Sequence, residues 1–179
     1  MNRALLLLAF STLLSLPAQA HWIPVPATAY DAQMRPISHL LTLPSSPDSQ
    51  PDLTALAHLM RPIHRLPYRF QTNWPTPDQV RAQGWADCKG KALLLLDEIR
   101  QHHLGRPLLI IGQRTPQSRQ THAWLEITLH DRNLILDPTY FSRPIDRDQL
   151  PADHYRPHFG YHGSQKFTYI SPGWLVAAR

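Results

Sequence analysis

The sequence predicts one α+β domain in which N-terminal helices pack on an antiparallel sheet. Helical periodicity and capping residues are confined to residues 52–103, and a series of strand-like runs begins only at residue 108. Length is the third observation. With a leader at residues 1–20 set aside, the remainder can bury roughly 70% of its unfolded surface around a single core.

The leader reads as a secretory signal. Arg3 gives a positive head, Ala4–Leu16 an apolar run too short to span a bilayer, and Ala18-Gln19-Ala20 the small residues for cleavage before His21. The expected location is periplasmic or secreted, with no later membrane span. Residues 21–50 contain Pro24, Pro26, Pro36, Pro44 and Pro47, which predicts an extended arm with little regular structure on the domain surface.

The first helix is expected from Asp52 to Met60, with Leu53, Leu56, Ala57 and Met60 on one face and Pro62 ending it. Tyr68–Gln71 reads as a short strand. Thr76-Pro77-Asp78-Gln79 combines a capping Thr, a Pro at the first helical position and a Gln that completes a capping box; Gly84 stops this helix. Asp87 then caps a longer helix that runs to about His103 and stops at Leu104-Gly105-Arg106-Pro107.

Three strands are expected next, at Leu108–Gln113, Ala123–Leu129 and Leu134–Asp137. The second alternates, placing Ala123, Leu125, Ile127 and Leu129 on a core face and His122, Trp124, Glu126 and Thr128 on a face open to a cleft. Residues 130–133 read as the turn, pairing Leu129 with Leu134. A further strand covers Lys166–Ile170.

Composition narrows the function. The formal charge is +5, from 18 Lys and Arg against 13 Asp and Glu, and the basic residues are scattered. That argues against nucleic-acid binding and fits at most a mild attraction to anionic cell-envelope polymers. Among 11 histidines, His154, His158 and His162 recur every four residues, but Pro157 and Gly160 oppose the helix that would align them. His21, as a new N-terminus, would offer an amine and a ring nitrogen to copper. Neither has a supporting ligand set, so no metal or cofactor is expected.

Cys88 is the single cysteine, at the start of the longer helix. A thiol there feels the positive end of the helix dipole, which favours thiolate. His122 can act as its base, and Asp137 can fix the tautomer of the imidazole and stabilise the imidazolium. Asp137 precedes Pro138, which holds it extended at a strand end. With Leu129 opposite Leu134, His122 and Asp137 are offset by four residues, about 13 Å, so a bulge or strong coiling is required for them to meet. The Cys88 backbone N–H is the natural first oxyanion donor, and Gln71, Asn73 and Gln83 are open candidates for a side-chain partner.

Trp74-Pro75-Thr76-Pro77, Gly84, Asp87-Cys88, His122-Ala123-Trp124-Leu125-Glu126 and Leu136-Asp137-Pro138-Thr139-Tyr140 together resemble the bacterial transglutaminase-like superfamily, including its periplasmic cysteine proteases. The resemblance covers roughly residues 66–142. It implies a papain-like, transglutaminase-like architecture over residues 51–179, with Cys88 as nucleophile, His122 as general base and acid, and Asp137 as orienter. A thiol-dependent peptidase, amidase or acyltransferase acting on protein or peptide substrates is the implied activity. Family members often follow the cysteine with acidic residues suited to calcium; Lys89-Gly90-Lys91 stands here instead, so calcium dependence is not implied. The readings from other classes are a catalytically silent binding or scaffold domain and a His-rich metal-binding envelope protein.

Overall fold

The computed structural model describes residues 21–42 and 52–170. The expected signal and the end of the arm lie outside them. Five α-helices are α1 (Asp31–Met34), α2 (Ser38–Thr42), α3 (Leu53–Arg65), α4 (Pro77–Gln83) and α5 (Cys88–Gln101). Seven strands follow the order β1 (His21–Pro24), β2 (Leu108–Gln113), β3 (His122–Leu129), β4 (Arg132–Leu136), β5 (Ile145–Asp146), β6 (Arg156–His162) and β7 (Gln165–Ile170) along the chain. They form one sheet in the spatial order β1-β7-β6-β2-β3-β4-β5, with every pair antiparallel.

α5 is the spine of the domain. Cys88, Gly90–Leu96 and Ile99 are all buried, so the helix is covered by β3 on one side and by α3 and α4 on the others. Gly90 permits this closeness. A Cβ there would meet the Ala86 Cβ at 2.9 Å, Pro75 Cγ at 3.0 Å and Val80 Cγ2 at 3.1 Å. The core face of β3 is Ala123, Leu125, Ile127 and Leu129, as the alternation predicts.

The capping signals around α4 and α5 are realised. Thr76 accepts from the Gln79 backbone N–H at 3.2 Å while its own N–H donates to Gln79 Oε1 at 2.9 Å, and Gly84 ends α4 at φ 70°. Asp87 caps α5 by accepting from Gly90 N at 3.1 Å.

Several expectations are corrected. Pro62 does not end α3, which continues to Arg65. Both Pro62 and His58, whose carbonyl loses its helical donor, are exposed, so water can satisfy that carbonyl while buried Met60 and Ile63 hold the helix to the core. Tyr68–Gln71 is not a strand; a single parallel bridge joins Tyr68 to Ala86. The arm is not merely extended: β1 pairs with β7, and Met34, Ile37 and Leu40 from the helical turns enter the core. β6 is hidden in the sequence by Pro157 and Gly160. Pro157 is tolerated because it falls at the register shift opposite Gly112 and beyond the last β6–β7 pair, Phe159↔Thr168.

The β3–β4 turn is tighter than expected. His130 and Asp131, at φ 46° and 63°, make a two-residue connection and pair Leu129 with Arg132 rather than Leu134. The second face of β3 is also not an open cleft. Trp124 is fully buried there with Ile110, Ile135 and Tyr155.

Candidate active site

The site lies where the start of α5 meets the start of β3. Cys88 is the first residue of α5, and His122 is the first residue of β3, so the imidazole can be reached from the helix side past the end of the strand. The tighter turn brings in Asp137. Pairing of Leu125 with Leu136 puts Asp137 level with Trp124, an offset of two residues from His122, about 7 Å along the strand instead of 13 Å. Side chains close the rest: His122 Nε2 donates to Asp137 Oδ2 at 2.7 Å. The other ring nitrogen is thereby left free of Asp137, and Cys88 lines the same cleft as His122, close enough for its sulfur to raise the imidazole pKa. The structure thus brings Cys88, His122 and Asp137 together.

Asp137 is fully buried and fully used. Tyr155 Oη donates to the same Oδ2 at 2.7 Å, and Thr139 N donates to Oδ1 at 2.9 Å. Burial opposes the charge on Asp137, but His122, Tyr155 and the Thr139 amide outweigh it and hold the carboxyl below its ordinary range. Burial likewise works to lower the His122 pKa. The Asp137 carboxylate and the Cys88 sulfur override it and raise the imidazole from 6.5 to about 9. The ring packs parallel to Trp124, with centroids 6.0 Å apart, and edge-on to Tyr140 and Tyr155.

Sequence reasoning missed Tyr155. It stands 18 positions from Asp137 in Asp153-His154-Tyr155-Arg156-Pro157, with no periodicity to single it out, at φ 47° and with its N–H on Arg114 O at 2.8 Å. Burial first, and then the Asp137 charge, push its phenol well above the ordinary value, so it remains a donor. Lys91 was also missed. It is buried one turn beyond Cys88 and donates to His64 O at 3.0 Å, at the carbonyl end of α3; desolvation lowers its pKa against the pull of Asp137. His64 Nδ1 in turn donates to Pro138 O at 3.1 Å. Three elements are tied at the residue that follows Asp137.

A cleft of about 440 Å³ opens over Cys88 and His122, with Tyr68, Phe70, Trp74 and Arg119 among its walls. A larger share of apolar lining belongs to a groove of about 330 Å³ between α3, α4 and α5, which Cys88 and His122 do not line. None of Gln71, Asn73 and Gln83 lines the cleft, and Gln83 Nε2 is already committed to Trp85 O at 2.7 Å. The backbone of Gln71 is fixed by its N–H to Asp87 Oδ2 at 3.3 Å and by the Lys89 ammonium on its carbonyl at 2.8 Å. Glu126 does not approach His122's partner; it accepts from Trp124 Nε1 at 2.9 Å. His158 and His162 lie on β6, and His154 precedes it.

Neither the protein-family models nor the curated proteins match this chain. Solved structures do. Calcium-bound LapG of Legionella pneumophila is 18% identical with a TM-score of 0.53, over 78% of this chain and 77% of that one. The same protein treated with EGTA is 17% identical with a TM-score of 0.54, over 79% and 76%. LapG has the transglutaminase-like fold. With the helices ahead of β2–β7, a seven-stranded antiparallel sheet and that structural likeness, the chain has the transglutaminase-like, papain-like fold.

Proposed function

We propose that this protein is a secreted or periplasmic thiol hydrolase that cleaves an amide bond in a protein or peptide. The observation that carries the reading is the buried chain Tyr155–Asp137–His122 ending beside Cys88 at the start of α5. An imidazole held protonated by a buried carboxylate is the partner a thiolate needs and the acid a leaving amine needs.

The Cys88 thiolate adds to the carbonyl carbon, forming a C–S bond and an oxyanion. The Cys88 backbone N–H, which the helix leaves without an intrahelical acceptor, faces that charge. His122 gives its proton to the amine nitrogen as the C–N bond breaks, leaving a thioester and a neutral imidazole. Water then attacks, His122 takes its proton, and the C–S bond breaks to release the acid. Asp137 stays ionised throughout, fixed by Tyr155 and Thr139.

Calcium, which LapG carries in one of its structures, does not fit the residues here. Asp87 is the carboxylate at the start of α5, and its oxygens are engaged by Gly90 N, Gln71 N and the Lys89 ammonium. A cation of the chain's own stands at that corner. Among the described residues no group of three His, Cys, Asp or Glu is arranged to hold a metal.

The test is labelling of Cys88 by a thiol-directed electrophile, alongside turnover of a quenched peptide mixture. Labelling faster than that of free cysteine at pH 7, slowed by His122→Ala, with turnover lost in Cys88→Ser, is the expected outcome. Labelling at the rate of an ordinary thiol in both wild type and His122→Ala overturns the enzyme in favour of a silent scaffold.

A further inference from the structure

We propose that the substrate of this cleft is an acidic polypeptide segment, with a carboxylate side chain beside the scissile amide. This rests on the thiol-hydrolase reading above. The argument begins with the charges. Of the residues that line the cleft, Lys89 and Arg119 are charged, both positively, and none carries a carboxylate. Lys89 is balanced by Asp87 beneath it, but Arg119 is exposed and makes no ion pair among the described residues.

Arg114 adds a second cation. Its guanidinium stacks 4.0 Å over the Tyr140 ring, and that ring lies edge-on to His122 with centroids 5.4 Å apart. No carboxylate pairs with Arg114 among the described residues; it stands outside the lining of the cleft, one ring away from His122. On the cysteine side, Lys89 sits 5.0 Å over Phe70. Both cations thus lie against aromatic rings.

Several carboxylates of the described residues are engaged elsewhere. Asp31 pairs with Lys166, Asp97 and Glu98 with Arg81, and Asp146 with Arg132. Among the charged groups that line the cleft, only Arg119 keeps its positive field unpaired by a described carboxylate. A Lys side chain offered as acyl acceptor meets that field unfavourably, which favours water as the acceptor and hydrolysis over crosslinking. One unit charge about 7 Å away in a wetted cleft changes the encounter with an anion by about threefold.

Two alkylating probes of matched chemistry test this on the full protein. Iodoacetate and iodoacetamide both lose iodide as the Cys88 sulfur–carbon bond forms; they differ in one negative charge. Relative to mercaptoethanol, the iodoacetate-to-iodoacetamide rate ratio is expected to rise about fivefold or more at low salt, collapse at 0.5 M salt, and fall about threefold in Arg119→Gln. Arg119 is exposed, so that variant keeps the fold, which a thermal melt checks. A ratio equal to that of mercaptoethanol, or unchanged in Arg119→Gln, overturns the proposal. The ratio is read whatever the absolute rate. Slow labelling by both reagents sinks the enzyme reading, whereas fast labelling without anion preference sinks the substrate class alone. Peptides that differ only in Glu, Gln or Lys next to the cleaved bond should follow with kcat/KM falling in that order, and an equal or reversed order overturns the proposal.

Discussion

Asp137→Asn is the most telling perturbation of the site. The carboxylate and the Cys88 sulfur raise His122 from 6.5 to about 9 against the opposing effect of burial. At 1.36 kcal/mol per pH unit, that is on the order of 3 kcal/mol of preference for the imidazolium, with little solvent screening because His122 is only 8% exposed. Asparagine keeps the shape and can still accept from Tyr155, but it carries no charge. Burial is then opposed by the Cys88 sulfur alone, and the imidazole pKa is expected to fall well below 9. The sign for stability follows from the raised value: the His122 contribution is complete below about pH 6.5 and is lost as pH rises through about 9. Asp137 works in the other direction. Its depressed pKa gives stability that is present above its ordinary value of 3.8 and lost as pH falls below it. Wild type should therefore lose stability at both ends of that window, and Asp137→Asn should show a flatter profile. Histidine ring NMR against pH, with urea unfolding at pH 3, 7 and 10, measures both. A His122 pKa that stays near 9 in the variant would refute the assignment of Asp137 as its source.

Tyr155→Phe removes a hydrogen bond to a buried charge and should cost about 1.5–3 kcal/mol at pH 7, the cost shrinking on acidification as Asp137 protonates; denaturant titrations at two pH values read this. Gly90→Ala should destabilise by about 1–3 kcal/mol in thermal melts despite better helix propensity, because the new Cβ meets Ala86, Pro75 and Val80. Pro62→Ala should raise Tm, since it restores a donor to the His58 carbonyl on the exposed side of α3, the gain being trimmed by greater freedom of the unfolded chain. Asp131→Gly should stabilise by up to about 1 kcal/mol, because position 131 holds φ 63°, and an unchanged or lowered Tm would contradict that account of the turn.

Local chemistry was legible where one residue type has one physical use. Thr76, Pro77, Gln79, Gly84 and Asp87 marked the ends of α4 and the start of α5 because caps act over three or four residues. The alternation of β3 fixed its core face for the same reason. Cys88, His122 and Asp137 could be named from their motifs, but their meeting could not be computed, because it depended on two residues of register set by His130 and Asp131, neither a Gly or Asn. Tyr155 was invisible in principle: its role arises only after a loop has folded over the second face of the sheet. β6 was concealed by Pro157, which a bulge accommodates, and the arm's contribution to the core by prolines such as Pro36, which opens a short helical turn rather than breaking it.

The pairing of β1 with β7 makes the two ends of the described fold, His21 and Ile170, neighbours. His21 lies across from Ile170 and Pro24 across from Phe167, so the strand made first waits for the strand made last. A ribosome or a translocation channel still holding residues 165–170 leaves that seam open, and the sheet can close only after those residues have emerged. Trimming either end should then unfasten the same edge, exposing the backbone of β6 or β7 to pairing with a second molecule. Joining the ends by a short linker and opening the chain elsewhere should, conversely, let this seam form early, as a local hairpin rather than the most distant contact in the sequence.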